Sequence, residues 1–119
     1  MRLSKNKVNQ KTHQKINDTL YQVIADITKK EEAKIFCRDI LTKAEILALA
    51  KRLAIFKALR DGWSYRQIRS QFQVSPATIA KLQEDLDKPG IKLALEKIKI
   101  DQWASRWEKK IKNLLKKAS

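Results

Sequence analysis

The chain has little of what tight turns, cross-links and metal sites require. Its 119 residues include two glycines, two prolines, one cysteine and one histidine. Sandwich and barrel folds need many tight turns, so the scarcity of glycine and proline favours a few long helices. The single cysteine, Cys37, forms no disulfide within the chain and is expected to fill a core position in a reducing compartment. One cysteine and one histidine are too few for a thiolate or imidazole metal site, so we predict no metal and no cofactor.

The chain also lacks the sequence signals of secreted proteins, membrane-spanning proteins and enzymes. Residues 1–15 contain no apolar segment of the kind found in signal peptides, and no apolar run approaches the ~20 residues of a membrane span. The chain offers no His–carboxylate or Cys–His pair, no paired-carboxylate motif and no glycine-rich phosphate loop. We therefore expect a soluble, cytoplasmic protein that is not an enzyme, and we do not expect a membrane as its partner.

What the chain has in excess is positive charge. It carries 27 Lys plus Arg against 13 Asp plus Glu, which gives a formal net charge of +14. Such a charge attracts polyanions, meaning DNA, RNA or an anionic membrane. Residues 1–15 contain five basic and no acidic side chains, and residues 101–119 contain six basic against two acidic side chains. We interpret the first segment as a flexible basic tail, which either solubilises the protein or reaches along DNA.

Apolar residues recur at helical spacing over residues 16–100, which predicts an all-α domain. A first amphipathic helix is expected from Ile16 onward. A second, short helix is expected to start with a capping box of Thr28 and Glu31 and to bury Ile35 and Phe36.

A third helix has the clearest start in the chain. Thr42 is a favourable N-cap, Glu45 completes a capping box, and Gly62 supplies the C-terminal stop. Apolar residues cover far more than one stripe of this helix. It must therefore be enclosed on several sides, either by its own chain or by a partner chain.

Near the C-terminus the phase of the apolar residues shifts by about half a turn, at ~100° per residue. We interpret this shift as two helices with a break near residues 99–101, the second being a basic amphipathic helix over 101–119. A single bent helix is the alternative. Residues 101–119 either pack back on the body or bind an anionic membrane, nucleic acid or a partner groove. One apolar face holds Ile91, Ala94, Leu95 and Ile98, and the other holds Ile100, Trp103, Ala104, Trp107, Ile111 and Leu114.

Residues 64–82 carry the motif that points to function. Ser64 caps one short helix, and Ser75 caps a second that has Pro76 at its first position, where the missing N–H costs nothing. A turn near Gln73 separates the two. These features predict a helix-turn-helix, whose second helix enters the major groove of DNA. The residues expected to make the apolar contacts between the two helices are Ile68, Phe72, Val74, Ile79 and Leu82.

The solvent-facing residues of this motif suit a polyanion. No acidic residue occurs between Asp61 and Glu84, and a surface apposed to phosphates must exclude carboxylates. Small residues at the start of the second helix allow close approach to base edges. Arg66 is expected mainly to position phosphates, while Lys81 either contacts a phosphate or pairs with Asp85 one turn later. The residues predicted to contact DNA are Arg66, Arg69, Ser75, Pro76, Ala77, Thr78, Ala80 and Lys81.

Four segments, at residues 41–45, 50–53, 62–65 and 75–81, carry a family resemblance. Through them the chain resembles the Trp repressor superfamily, especially its members of the YerC/YecD type, from about Leu20 to Leu86. In that family the N-terminal helices of two chains interlock into a dimer, and each chain presents one helix-turn-helix. The resemblance thus implies a homodimer that binds a roughly two-fold site in double-stranded DNA. Gln73 departs from it by replacing the glycine common in the turn, so a left-handed backbone there carries some strain.

The corepressor site of that family transfers poorly to this sequence. Arg52 and Thr42 match two of the residues that surround the ligand, but Lys81, Leu82 and Asp85 stand where the family has an Arg, a Gly and a Ser. Leu82 would occupy space that the indole ring needs, and Asp85 would repel the carboxylate of the ligand. The comparison therefore implies that tryptophan does not bind at this site.

The sequence as a whole favours a sequence-specific double-stranded DNA-binding regulator, most simply a repressor that acts by occupying its site. Two alternatives stay open. The first is a nonspecific nucleic-acid-binding protein, associated with the nucleoid or with RNA, which uses charge rather than base contacts. The second is an interaction or membrane-surface protein that acts through the C-terminal, Trp-bearing helix.

Overall fold

The computed structural model describes residues 9–118, apart from the side chains at 103–112 and 117–118. Over these residues the chain folds into helices without a β-strand, which confirms the predicted all-α class. It divides into two compact units, one up to Ile46 and the other from Leu47 onward, so the boundary falls within the third helix. The helices are α1 (Gln10–Asp26), α2 (Lys30–Ile40), α3 (Lys43–Arg60), α4 (Tyr65–Phe72), α5 (Pro76–Asp85) and α6 (Pro89–Ala118).

In the first unit, α1 begins six residues before the predicted start at Ile16. Asn9 caps the helix, because its side-chain oxygen accepts a hydrogen bond from the Thr12 N–H at 2.9 Å. Residues 10–15 therefore belong to α1 and not to a flexible tail. The apolar pattern misses this turn because its residues are polar, while residues 1–8 of the predicted tail lie outside the described residues.

The predicted start of α2 is wrong by one residue. Its N-cap is Lys29, which makes no side-chain capping bond, so the expected box of Thr28 and Glu31 does not form. A capping side chain must directly precede the first helical residue, and Thr28 lies one position too early for that. Ile35 is exposed instead of buried, and no residue of α1 or α2 is buried within the chain.

Helix α3 begins and ends as its sequence predicts. The Thr42 N–H donates to the Glu45 carboxylate at 2.8 Å, and the Glu45 N–H donates to the Thr42 hydroxyl at 3.1 Å. At the other end Gly62 adopts a φ of +83°, and its N–H bonds to the carbonyl of Leu59. The Trp63 N–H bonds to the carbonyl of Ala58, so the last turn closes in the manner of a Schellman motif.

The core of the second unit lies where α3, α4, α5 and the first turns of α6 meet. Half-buried residues, among them Phe72, Val74 and Ile91, pack against it. The helix-turn-helix therefore contributes to the core that holds it and is not a separate appendage. The buried residues are Ile55, Phe56, Ala58, Ile68, Ile79, Leu82 and Leu95.

Helix α6 runs without interruption from Pro89 to Ala118, so the break predicted near residues 99–101 is wrong and the single-helix alternative applies. No glycine or proline follows Gly90. The shift in apolar phase marks a change of face along one helix. Leu95 is buried against the core, whereas Ile100 is largely exposed.

Candidate nucleic-acid interface

The helix-turn-helix begins with the predicted capping box. The Gln67 N–H donates to the Ser64 hydroxyl at 3.2 Å, and the Ser64 N–H donates to the Gln67 side-chain oxygen at 2.9 Å. Two of the free donors at the start of α4 are thereby satisfied within four residues. The start of α4 is thus fixed by its own sequence.

The turn between α4 and α5 has the left-handed backbone anticipated at Gln73. Its φ is 55° and its ψ is 59°, and among the described residues it is the only non-glycine with a positive φ. A left-handed conformation costs a residue with a Cβ about 1–2 kcal/mol. The Gln73 N–H bonds to the carbonyl of Arg69 at 2.9 Å, and the next residue, Val74, packs against the core. These neighbours hold the turn in spite of the strain.

Helix α5 starts at Pro76 with Ser75 as its cap, as predicted. The Thr78 N–H donates to the Ser75 hydroxyl at 3.2 Å, and the hydroxyls of Ser75 and Thr78 lie 2.9 Å apart. Both hydroxyls are therefore engaged in the cap while their residues remain exposed. The cap therefore fixes the residue at which α5 begins.

Buried side chains anchor both helices of the motif. Ile68 of α4 and Ile79 of α5 are each 0% exposed, and Leu82 is also buried. The aromatic rings of Trp63 and Phe72 stack with centroids 6.1 Å apart. The core contacts predicted from spacing are confirmed.

The outer surface of the motif holds all eight residues predicted to contact DNA, and each is exposed. Arg66 and Arg69, one turn apart on α4, line a groove of about 520 Å³ together with Ser70 and Gln73. Ser70 and Gln73 were not among the predicted contact residues. Each has a signal in the sequence. Ser70 lies one turn after Arg66 on α4, and Gln73 forms the turn between the two helices. The structure groups the two arginines but places Lys81 along a different cleft.

The basic side chains of this surface face no acidic partner within the part of the chain that the structure describes. Among these residues, no ion pair involves Arg66, Arg69 or Lys81. Asp85 pairs with Lys88 at 3.0 Å, so the pairing of Lys81 with Asp85 that the sequence allowed does not form. The positive charges remain available to a polyanion.

A larger cleft of about 690 Å³ lies between α3, α5 and the start of α6. Leu82 is buried in its wall, which agrees with the steric part of the argument against an indole ligand. Asp85 lies in the lining too, but its ion pair with Lys88 offsets the repulsion expected from its carboxylate. Thr42 is occupied in the cap of α3. The basic residues of the lining are Lys51, Arg52, Lys81 and Lys88, of which Lys51 and Lys88 were missed from sequence.

The described part of the chain shows neither a metal cluster nor a membrane-spanning helix. No group of three or more His, Cys, Asp or Glu side chains there is arranged to hold a metal ion. No helix within it combines the length and apolar content needed to cross a membrane.

Comparison with known proteins identifies the family to which this helix-turn-helix chain belongs. The family described as Trp repressor protein matches residues 15–99. The chain belongs to the Trp repressor family. This is a family of helix-turn-helix, DNA-binding regulators, which agrees with the motif at α4 and α5. The matched range ends near the middle of α6, so residues 100–119 lie beyond it.

Two relatives extend the comparison. The uncharacterised protein YerC of Bacillus subtilis (strain 168) is 32% identical over 84 residues, which is 69% of this chain and 81% of that protein. The crystal structure of a provisionally assigned Trp repressor from Staphylococcus aureus superposes with a TM-score of 0.66 at 26% identity. That match covers 78% of this chain and 97% of the other.

Proposed function

We propose that this member of the Trp repressor family is a sequence-specific regulator that binds double-stranded DNA through α4 and α5. The observation that carries the proposal is the exposed, acid-free surface of these helices. It presents Arg66, Arg69 and Lys81 without an ion-pair partner among the described residues, on helices that are anchored by fully buried side chains. A fixed, positively charged helix pair is what docking on phosphates requires.

In this proposal α5 enters the major groove and reads bases with its first turns. Pro76, Ala77 and Ala80 are exposed and small, so the helix can approach base edges and thymine methyl groups closely. The N-terminus of α5 also presents a partial positive charge toward the DNA. Arg66 and Arg69 on α4 contact the phosphates that flank the groove, which sets the register of α5.

Exposed apolar residues in α1, α2 and the first half of α3 support a homodimer. Nothing within the described chain buries these side chains, and large exposed apolar surfaces of this kind are typical of protein interfaces. A two-fold dimer places two α5 helices on half-sites about 34–36 Å apart, one turn of DNA. Such a dimer blocks other proteins by occupancy, and repression is the simplest outcome. The exposed apolar residues, 39–63% accessible, are Ile16, Leu20, Val23, Ile24, Ile35, Ile40, Leu47, Leu49 and Leu53.

The test is the selection of bound sites from random duplex DNA at near-physiological salt. We expect the wild-type protein to enrich a two-fold motif. Arg69→Ala should weaken binding and lower the slope of log affinity against log salt by about 0.9 for each phosphate that the variant no longer neutralises. Arg38→Ala is the matched control, because it removes the same charge from an exposed arginine of α2 that pairs with Asp39.

The contrary result is DNA recovered without enrichment and a salt slope that changes equally in both variants. In that case net charge, and not the helix-turn-helix, would carry the binding. The protein would then be a nonspecific nucleic-acid-binding factor.

A further inference from the structure

Helix α6 has apolar residues on two opposite sides. On one side Leu95 is buried in the core of the second unit, with Ile91 and Ile98 packed around it. Leu93 and Ile100 are spaced by one heptad and point away from that core, 55% and 62% exposed. At ~100° per residue, positions seven apart lie on nearly the same line along a helix. The first side belongs to the fold, and the second is left without a partner in the described chain.

The exposed side continues beyond the part of the chain that the family covers. The backbone stays helical as far as Ala118, which adds nearly 30 Å to the helix after residue 99 at ~1.5 Å per residue. Leu114, two heptads after Ile100, and its neighbour Leu115 are both 66% exposed. None of the described side chains after Ile98 is buried. These described side chains therefore do not contribute to the core that stabilises the helix-turn-helix.

The extension is also strongly basic. Residues 101–119 contain six Lys plus Arg against two Asp plus Glu, a net charge of +4. The apolar residues that follow the series through Ile100 and Leu114 recur at helical spacing in this sequence, with lysines between them. A helix with an apolar side, a cationic side and low overall hydrophobicity is typical of segments that lie in the plane of a membrane surface.

Three partners can be compared by what each would cover. DNA would neutralise the lysines but leave Ile100, Leu114 and Leu115 in water. A second copy would cover the leucines but bring two segments of charge +4 together. An anionic bilayer accommodates both, because its headgroups attract the lysines and the acyl boundary takes up the apolar side chains.

We propose that the C-terminal extension of α6, residues 100–118, binds the surface of anionic lipid bilayers, lying in the plane of the headgroups. This departs from the expectation drawn from sequence that a membrane is not a partner. The exposure of Ile100, Leu114 and Leu115 on an unbroken helix is the reason. The site is separate from the helix-turn-helix, so this binding is independent of the proposed recognition of DNA.

The test is co-sedimentation of the full-length protein with vesicles. One set consists of phosphatidylcholine alone, and the other contains phosphatidylglycerol as a third of the lipid. We expect binding to the anionic vesicles, weakened by added salt, and little binding to the neutral ones. Binding that is equal on both vesicle types, or absent from both, would overturn the proposal.

Matched double variants separate the apolar side from simple charge. The pair Ile100→Glu with Leu114→Glu changes the net charge as much as the pair Gln102→Glu with Asn113→Glu, and all four residues are exposed. We expect the first pair to lower vesicle affinity about tenfold or more and the second by less than about threefold. The milder pair Ile100→Ala with Leu114→Ala keeps helix propensity and should give an intermediate loss.

Two controls make the result decisive. Affinity for duplex DNA should be the same in wild type and in both glutamate pairs, and sedimentation velocity should give one oligomeric state for all three. A selective loss of DNA affinity in the Ile100–Leu114 pair would assign the extension to DNA. A change in oligomeric state in that pair alone would assign it to a second copy. Either result would refute the membrane proposal.

Discussion

The two units of the chain use their apolar residues in opposite ways. In the first unit α1 and α2 are amphipathic, yet neither contains a buried residue. In the second unit α3, α4, α5 and α6 all contribute to one buried cluster. The helix-turn-helix thus rests on a core that the chain supplies by itself, whereas the N-terminal helices present apolar side chains that this chain leaves uncovered.

A similar contrast runs along α3, the helix in which the boundary between the units falls. The buried residues of α3 are Ile55, Phe56 and Ala58, all in its second half, while Leu47 and Leu49 in the first half are exposed. Burial of a large apolar side chain stabilises a protein by about 1.5–3 kcal/mol, so leaving several exposed is costly unless a partner covers them. This difference can be tested by substitutions in the uncovered and in the buried residues.

The strongest test places a charge in the uncovered apolar face of α1. If the proposed homodimer forms there, Ile24→Asp should dissociate it, because the burial of about 1.5–3 kcal/mol per side chain is removed twice in a two-fold interface. Sedimentation velocity over a range of concentrations measures the effect. Gln14→Asp, at an exposed position on the polar side of the same helix, is the matched control. A wild-type protein that stays monomeric throughout would contradict the dimer.

A core substitution in the second unit should destabilise the chain itself. Ile79 is fully buried in α5, and Ile79→Ala is expected to lower the free energy of unfolding by about 2–5 kcal/mol, since a cavity forms in the cluster. Chemical denaturation followed by circular dichroism measures this change. Leu93→Ala provides the comparison, because Leu93 is 55% exposed within the chain and is not among the residues of the proposed dimer surface. A cost below about 1 kcal/mol for Ile79→Ala would mean that the core does not hold α5 as described.

Loss of the cap of α5 should have a smaller effect. Ser75→Ala removes the acceptor for the Thr78 N–H and is expected to cost about 0.5–2 kcal/mol. Thermal unfolding of Ser75→Ala beside Ser70→Ala, which alters an exposed serine without a capping role, measures the difference. Equal melting temperatures for the two variants would argue that the cap contributes nothing in solution.

The smallest effect concerns pH and the start of α3. Hydrogen bonds from the Thr42 backbone N–H and side chain hold the pKa of Glu45 below its ordinary value. A depressed carboxyl pKa contributes stability above the pKa of the unfolded state, about 4.3, and this stability is lost as the pH falls through the folded-state pKa. The stability difference between wild type and Glu45→Gln should therefore be constant near neutral pH and change only in the acidic range. NMR titration of Glu45 provides the direct measurement, and an ordinary pKa there would disprove the cap in solution.

Much of the fold could be predicted from sequence because the signals are local. The capping boxes of α3 and α4, the Ser75–Pro76 start of α5 and the left-handed turn at Gln73 each depend on residues within four positions of one another. Spacing also predicts the contacts of Ile68 and Ile79, since two short helices joined by a tight turn can pack in few ways.

Other features were misread for physical reasons. The first turn of α1 is polar, so apolar periodicity gives no signal there, and the cap at Asn9 was overlooked. The phase shift in α6 indicated a break, although no residue near 99–101 disfavours a helix. Where the apolar side of a helix changes, the elements that pack against the helix change too. Those elements are set by the tertiary structure.

In the candidate site, too, some features follow from local sequence and others from the packing of the helices. Residues 64–82 can be recognised from sequence as a helix-turn-helix without acidic residues, because composition and caps are properties of neighbouring positions. The sequence does not reveal that Arg66 and Arg69 share one groove while Lys81 lies in another, or that Asp85 pairs with Lys88. Nor does it reveal which apolar side chains are buried within the described chain and which are exposed. Ion pairs and burial depend on distances across helices, and these distances are fixed only when the helices pack.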